Sequence, residues 1–178
     1  MLKKVLLILV ALIGAFAVYV ALQPDELHVE RSATISAPAD VVFTQVNDLH
    51  KWDAWSPWAK LDPGAKVGFE GPSAGKDAAF TWSGNDKVGE GKMTVVDSRP
   101  NELVDISVAM TKPFENTSDS KFQFKPEGNQ TLVTWSMGGR QGFLEKAMCI
   151  VFQGKKMLGG EMEKGLAQLK TVAESSSR

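Results

Sequence analysis

Cysteine is almost absent from this 178-residue chain: Cys149 stands alone, so no intrachain disulfide can form. Histidine is nearly as scarce. His28 and His50 are isolated, and without a cysteine cluster they make no zinc pattern, so no metal site is expected. An excess of one charge is missing too, with 20 basic residues against 21 acidic ones and a net charge of −1. Nucleic acid is therefore not an expected partner, because its binders carry a basic patch or a high pI. No internal repeat or low-complexity linker is present. The lone cysteine lies in the apolar run Ala147–Phe152, where it reads as a buried, inert thiol.

What the chain does have is an apolar start. After Met1-Leu2-Lys3-Lys4, the eighteen residues Val5–Leu22 carry no charge. A helix of that length spans roughly 27 Å, close to the hydrocarbon thickness of a bilayer. A cleaved signal peptide is the competing reading, with Ala15-Phe16-Ala17 as a cleavage site. The run exceeds a usual signal core, and cleavage would leave Val18–Leu22 as an apolar terminus, which favours an uncleaved anchor. Lys3 and Lys4 precede the span and Asp25 and Glu26 follow it, so the N-terminus is expected in the cytoplasm. The rest would lie outside the cytoplasmic membrane of a bacterium, single-pass and periplasmic, or secreted if the segment is removed. Without Lys3 and Lys4, 18 basic residues face 21 acidic ones, and this net −3 gives no attraction to an anionic surface.

The expected division is a cytoplasmic N-terminus 1–4, an anchor or signal sequence 5–22, a linker 23–27, one domain 28–174 and a disordered tail 175–178. His28–Ser36 alternates as a strand, and Ala37-Pro38-Ala39-Asp40 opens a helix running to Asn47. Period-2 patterns then recur at 66–70, 77–83, 89–98, 103–111, 118–125 and 131–138, separated by turn residues. The end of the chain changes period. Phe143–Phe152 reads as a short helix, and Leu158, Met162, Gly165, Leu166, Leu169 and Val172 form one helical stripe. Hairpins in series with a terminal helix predict an α+β fold, an antiparallel sheet covered by that helix.

Alternation sorts the strands into faces. Phe80 and Trp82 share one, as do Ile106 and Met110, Phe122 and Phe124, and Trp135 and Met137; Met93 and Met162 complete the expected apolar lining. Such a face is either an ordinary core or the wall of an adaptable ligand cavity. Motifs of known chemistry are weak. Gly71-Pro72-Ser73-Ala74-Gly75 fits G-x-S-x-G, but a strand pattern follows it and both histidines precede it, so a hairpin loop is expected. Asp48, Asp53 and Asp62 lack calcium-loop spacing, and Gly75-Lys76 and Gly91-Lys92 lack the rest of a phosphate loop. Asp97 and Asp105 read as solvated strand charges. No catalytic residue and no cofactor is expected from these patterns.

Several segments carry a resemblance: Arg31-Ser32, Ala37-Pro38, Val42-Phe43, Asn47-Asp48, Trp52, Trp55-Ser56-Pro57-Trp58 and Asp62-Pro63, then Gly84-Asn85, Val88-Gly89 with Gly91, Met137-Gly138 and Glu163–Leu166 with Leu169-Lys170. Together they make the chain resemble membrane-anchored bacterial members of the SRPBCC superfamily, the START-like or polyketide cyclase/dehydrase-like proteins. The resemblance implies a helix-grip fold: a seven-stranded antiparallel sheet around a long C-terminal helix, with an apolar cavity between them. It implies that Trp52, Trp55 and Trp58 lie near the cavity mouth, with at least two packed into the domain. The expected partners are a hydrophobic small molecule or lipid, and a membrane through the N-terminal helix. An enzyme acting on an apolar substrate and a structural or interaction domain of the cell envelope stay open as alternatives.

Overall fold

The computed structural model describes residues 2–177; Met1 and Arg178, which belong to the expected N-terminus and tail, lie outside them. Helix α1 (Leu2–Ala21) has no proline and, after Lys4, no charge, so nothing interrupts it before Pro24. Its mean hydropathy is 2.5, it is long and apolar enough to cross a membrane, and only Val20 is buried. Then come β1 (Glu26–Ile35), α2 (Ala39–Asn47), a 3₁₀ helix (Leu49–Ala54), β2 (Lys66–Glu70), β3 (Ala79–Ser83), β4 (Glu90–Arg99) and β5 (Leu103–Lys112). The chain finishes with β6 (Asn116–Glu127), β7 (Gln130–Arg140), α3 (Phe143–Val151) and α4 (Gly154–Ser176).

The strands form one seven-stranded antiparallel sheet in the order β1-β7-β6-β5-β4-β3-β2. Only β1 pairs out of sequence, with β7, and the long α4 lies against β1 and α2: this is a helix-grip fold, as the resemblance implies. Register gives the sheet two distinct ends. Glu26 pairs with Arg140, and Met110 with Asn116, at the end where α1 enters. Ile35 pairs with Thr131 at the far end. Helix α4 runs toward that far end, where Lys170 Nζ donates to Thr34 O (2.9 Å) and the Ser36 N–H to Glu174 Oε1 (2.8 Å).

The structure shifts several boundaries. Pairing carries β6 outward to Asn116 and Glu127, and α4 continues through Ser176 into the segment read as a tail. The linker is shorter than expected, because Glu26 already pairs in the sheet. The larger correction concerns Cys149 and its neighbours. The thiol is half-buried rather than buried, and Met148, Val151 and Phe152 are exposed, because α3 turns Lys146 inward and its apolar side outward.

Candidate functional site

Paired residues of adjacent antiparallel strands project to the same face, so register defines the surface beneath α4. One row runs Ala33–Val133–Phe124, another Arg31–Trp135–Phe122–Val104, and a third Val29–Met137–Ser120–Ile106–Val95. Nearer the α1 end, Ser118–Val108–Met93–Phe80–Phe69 and Asn116–Met110–Gly91–Trp82–Val67 continue it. All the sheet residues singled out by alternation therefore share this inner face.

The far half of the face is a filled core. Trp55, Trp135, Phe122, Ile106 and Met162 are fully buried, and Trp52 and Phe124 are buried. The aromatic rings form a continuous plug. Phe122 stacks on Trp135 (4.7 Å between centroids), Trp55 meets both edge-on at 5.9 and 6.0 Å, and Trp52 leans on Trp55 at 4.6 Å. Every buried indole N–H is satisfied: Trp52 donates to Val46 O (2.8 Å), Trp55 to Gln45 O (3.0 Å) and Trp135 to Ser120 Oγ (2.9 Å). Two of these acceptors lie at the end of α2, so the Trp-rich segment ties that helix to the sheet. Pro57 and the Trp135 ring then rest on α4 at Gly165, where a Cβ would stand 2.8 Å from Trp135 Cζ3 and 3.0 Å from Pro57 Cδ. Each such aromatic buries about 150–250 Å², on the order of 4–6 kcal/mol of burial at about 25 cal/mol per Å². Trp52 and Trp55 are core; Trp58, half-buried and 5.7 Å from Trp135, marks the edge of the plug.

Toward the α1 end the same face is only partly covered. Phe80, Trp82, Met93, Val108, Met110 and Met137 are half-buried, while Val67 and Phe69 on β2 are exposed. The Trp82 indole is anchored by its bond to Val88 O (3.0 Å) and lies across Gly91, where a Cβ would come within 2.6 Å of the ring. Phe69 is flanked by Phe80 (5.4 Å) and by the His50 ring, stacked at 3.9 Å. The result is an apolar groove whose residues Phe80, Met93, Val108 and Met137 pack, like Trp58 and Leu158, against the edge of the buried core. The inner-face positions of this half carry no ionisable side chain among the described residues. Charge sits on its rim, where the Lys112 ammonium and the Ser83 hydroxyl bond to Glu90 and hold its carboxyl below the usual carboxylate range.

The candidate binding residues thus divide. Ile106, Phe122, Phe124, Trp135 and Met162 belong to the filled half, and Phe80, Trp82, Met93, Met110 and Met137 to the open groove. Val67, Phe69 and Val108 join the groove through register, a signal that alternation within single strands does not carry. Two hollows lie elsewhere, at the junction of α1, β1 and α3. One, of ≈ 470 Å³, is lined by Ala21, Asp25, Arg140–Phe143 and Lys146, and the other, of ≈ 50 Å³, includes Cys149. Of the remaining motifs, Gly71–Gly75 forms the β2–β3 loop with no helix after it. Asp105 faces away from the groove and pairs with Lys121 (3.0 Å), and Asp97 pairs with Arg99 (3.7 Å).

Residues 26–174 match the family model described as polyketide cyclase / dehydrase and lipid transport. No curated protein sequence matches the chain. Among solved structures, protein MLL2253 from Mesorhizobium loti is similar with a TM-score of 0.63 at 14% identity, over 85% of this chain and 100% of that one. The Zhui aromatase/cyclase from Streptomyces sp. R1128 gives a TM-score of 0.59 at 15% identity, over 86% and 96%. Aha1 from Colwellia psychrerythraea gives 0.59 at 16% identity, over 83% and 96%. Likeness at such identities extends to the fold.

Proposed function

Since the chain belongs to the polyketide cyclase/dehydrase and lipid transport family, we propose that it binds a hydrophobic small molecule or lipid between the sheet and α4 while α1 tethers it to a membrane. The observation that carries the reading is the half-open groove of Phe80, Trp82, Met93, Val108, Met110 and Met137 beside a core that is otherwise filled. Flexible thioethers and aromatic faces suit an apolar ligand of variable shape. Acid–base catalysis by side chains is less well supported, since the groove's sheet positions carry no ionisable group and the one imidazole beside them, His50, is stacked on Phe69 and hydrogen-bonded to Asp48.

Membrane tethering is supported by the length and hydropathy of α1 and by its projection away from the core. Lys3 and Lys4 on one side, with Asp25 and Glu26 on the other, put the folded domain outside the cytoplasm by the positive-inside rule. Purification of the full chain in mild detergent, followed by mass spectrometry of solvent extracts, tests the ligand. Apolar material should co-purify, and a dye that fluoresces in apolar sites should be displaced by adding it back. Consistently empty protein that binds no such dye would overturn the reading.

A further inference from the structure

We propose that α3 is an interfacial helix whose apolar stripe lies in the surface of the bilayer that α1 crosses, turning the open half of the groove toward the lipid. This rests on the membrane reading of α1 and specifies where the ligand enters.

Helix α3 is inverted relative to a helix in water. Phe143, Leu144, Ala147, Met148, Val151 and Phe152 fall at i, i+1, i+4, i+5, i+8 and i+9, which is one helical face. That face points outward: Leu144 is 67% exposed and Phe152 63%. The one buried residue of α3 is Lys146, 6% exposed, although lysine is almost never buried unless paired. Its ammonium donates to Asp25 Oδ1 (2.8 Å) and Gln23 O (3.1 Å). A helix that pairs its lysine inward and leaves Phe143, Leu144, Met148, Val151 and Phe152 exposed has the polarity expected beside lipid.

Its position agrees. The partners of Lys146 belong to the short link after α1, the Gln141 N–H donates to Asp25 O (2.7 Å), and Ala21 and Phe143 line one hollow. The stripe therefore begins beside the point where α1 ends, which is the bilayer surface if α1 spans. Interfacial helices bury their apolar face about 5–10 Å into the headgroup and acyl boundary. Charge also agrees, although the domain as a whole is acidic. Exposed Arg140, Lys155 and Lys156 flank α3, whereas its acid Glu145 is engaged by the Gly142 N–H (2.6 Å) and by Asn116 Nδ2 (2.9 Å). Glu26, the cross-strand partner of Arg140, offsets one of these charges, and the remaining small basic excess favours anionic headgroups. Register supplies the last link, because Trp82, Met110 and Met137 lie at the same end of the sheet as Glu26 and Arg140.

The test uses the full chain in nanodiscs of phosphatidylcholine with phosphatidylglycerol. In a Cys149→Ser background, an environment-sensitive NBD label is placed at Phe152→Cys, and a control label at Lys125→Cys near the far end. The Phe152 label should emit at shorter wavelength than the control and be strongly quenched by lipids carrying a doxyl group near the headgroup end. A water-like spectrum would overturn the proposal. A blue-shifted label that doxyl lipids do not quench would overturn it too, since protein, such as a second copy, would then cover α3. Ligand content is read separately by extraction. A lipid-quenched label on a chain with no ligand sinks the binding reading alone; a bound ligand with a water-exposed label sinks the docking alone.

Discussion

Trp55 does more for the fold than its place in a loop suggests. It is fully buried, donates its indole N–H to Gln45 O, and touches Trp52, Phe122 and Trp135. Replacing it with alanine removes the ring contacts and leaves a carbonyl at the end of α2 without this donor. Trp55→Ala should therefore cost about 3–5 kcal/mol, the range for large aromatic truncations in a core. Trp58→Ala, at a half-buried ring, should cost clearly less. Urea titrations of the two variants check this ordering, and an equal loss from both would contradict the division between plug and rim. Recurrence of tryptophan in W-S-P-W made the segment conspicuous in the sequence. Which indole is core and which is rim depends on Trp135 and Gly165, more than seventy residues away in the chain, and local spacing carries no record of them.

At the scale of elements, the strands and α4 were legible because their periodicities agree with how they are buried: period 2 on a sheet with one covered face, 3.6 on a helix with one covered stripe. Helix α3 was legible as a helix but not in its orientation. Periodicity locates an apolar face without saying what covers it, and an unpaired Lys146 reads as solvated until Asp25 is found beside it. That pair has a pH signature. The hydrogen bond from Lys146, and then its charge, hold the Asp25 carboxyl below its usual value of 3.8. A carboxylate whose folded pKa is depressed stabilises the folded state above its unfolded pKa, and the contribution disappears as pH falls through the lower folded value. The clamp on α3 is thus intact at neutral pH and opens only in strong acid. Hydrogen-exchange protection of α3, corrected for intrinsic rates, should hold from about pH 6 down to about pH 4 and fall below it, as the pH drops through the lowered value of Asp25. Asp25→Asn should start from lower protection at pH 6 and flatten this dependence. An unchanged acid response in that variant would show that other carboxylates control the helix; Glu174, also held low by the Ser36 N–H, belongs to the far end and reports there instead.

For the whole molecule, the architecture follows from element order, yet the candidate site does not. Sequence patterns identified one inner face, but they could not divide it, because a filled core and a ligand wall use the same residues. The division follows the packing above the sheet: α2 lies on β5, β6 and β7, and the tryptophan plug and Met162, Leu166, Leu169 and Ala173 of α4 join the same buried core, while Phe80, Met93, Val108 and Met137 are only half-buried against it. Stability and binding should then separate along a single strand. Ile106 and Val108 are two positions apart on β5 and point the same way, the first fully buried and the second half-buried in the groove. Ile106→Ala should lower stability by about 2–5 kcal/mol, as for other core truncations, and leave apolar-dye affinity nearly intact at temperatures where the variant stays folded. Val108→Phe places extra volume where space is open, so it should change stability by less than about 1.5 kcal/mol. A misfit of a few methylene volumes in an apolar site costs roughly 1–3 kcal/mol, so dye binding should weaken at least about tenfold. Parallel denaturation and dye titrations on the two variants decide it. If Val108→Phe binds as the parent does while Ile106→Ala loses binding, the ligand sits deep under α4 and the near half is only a surface.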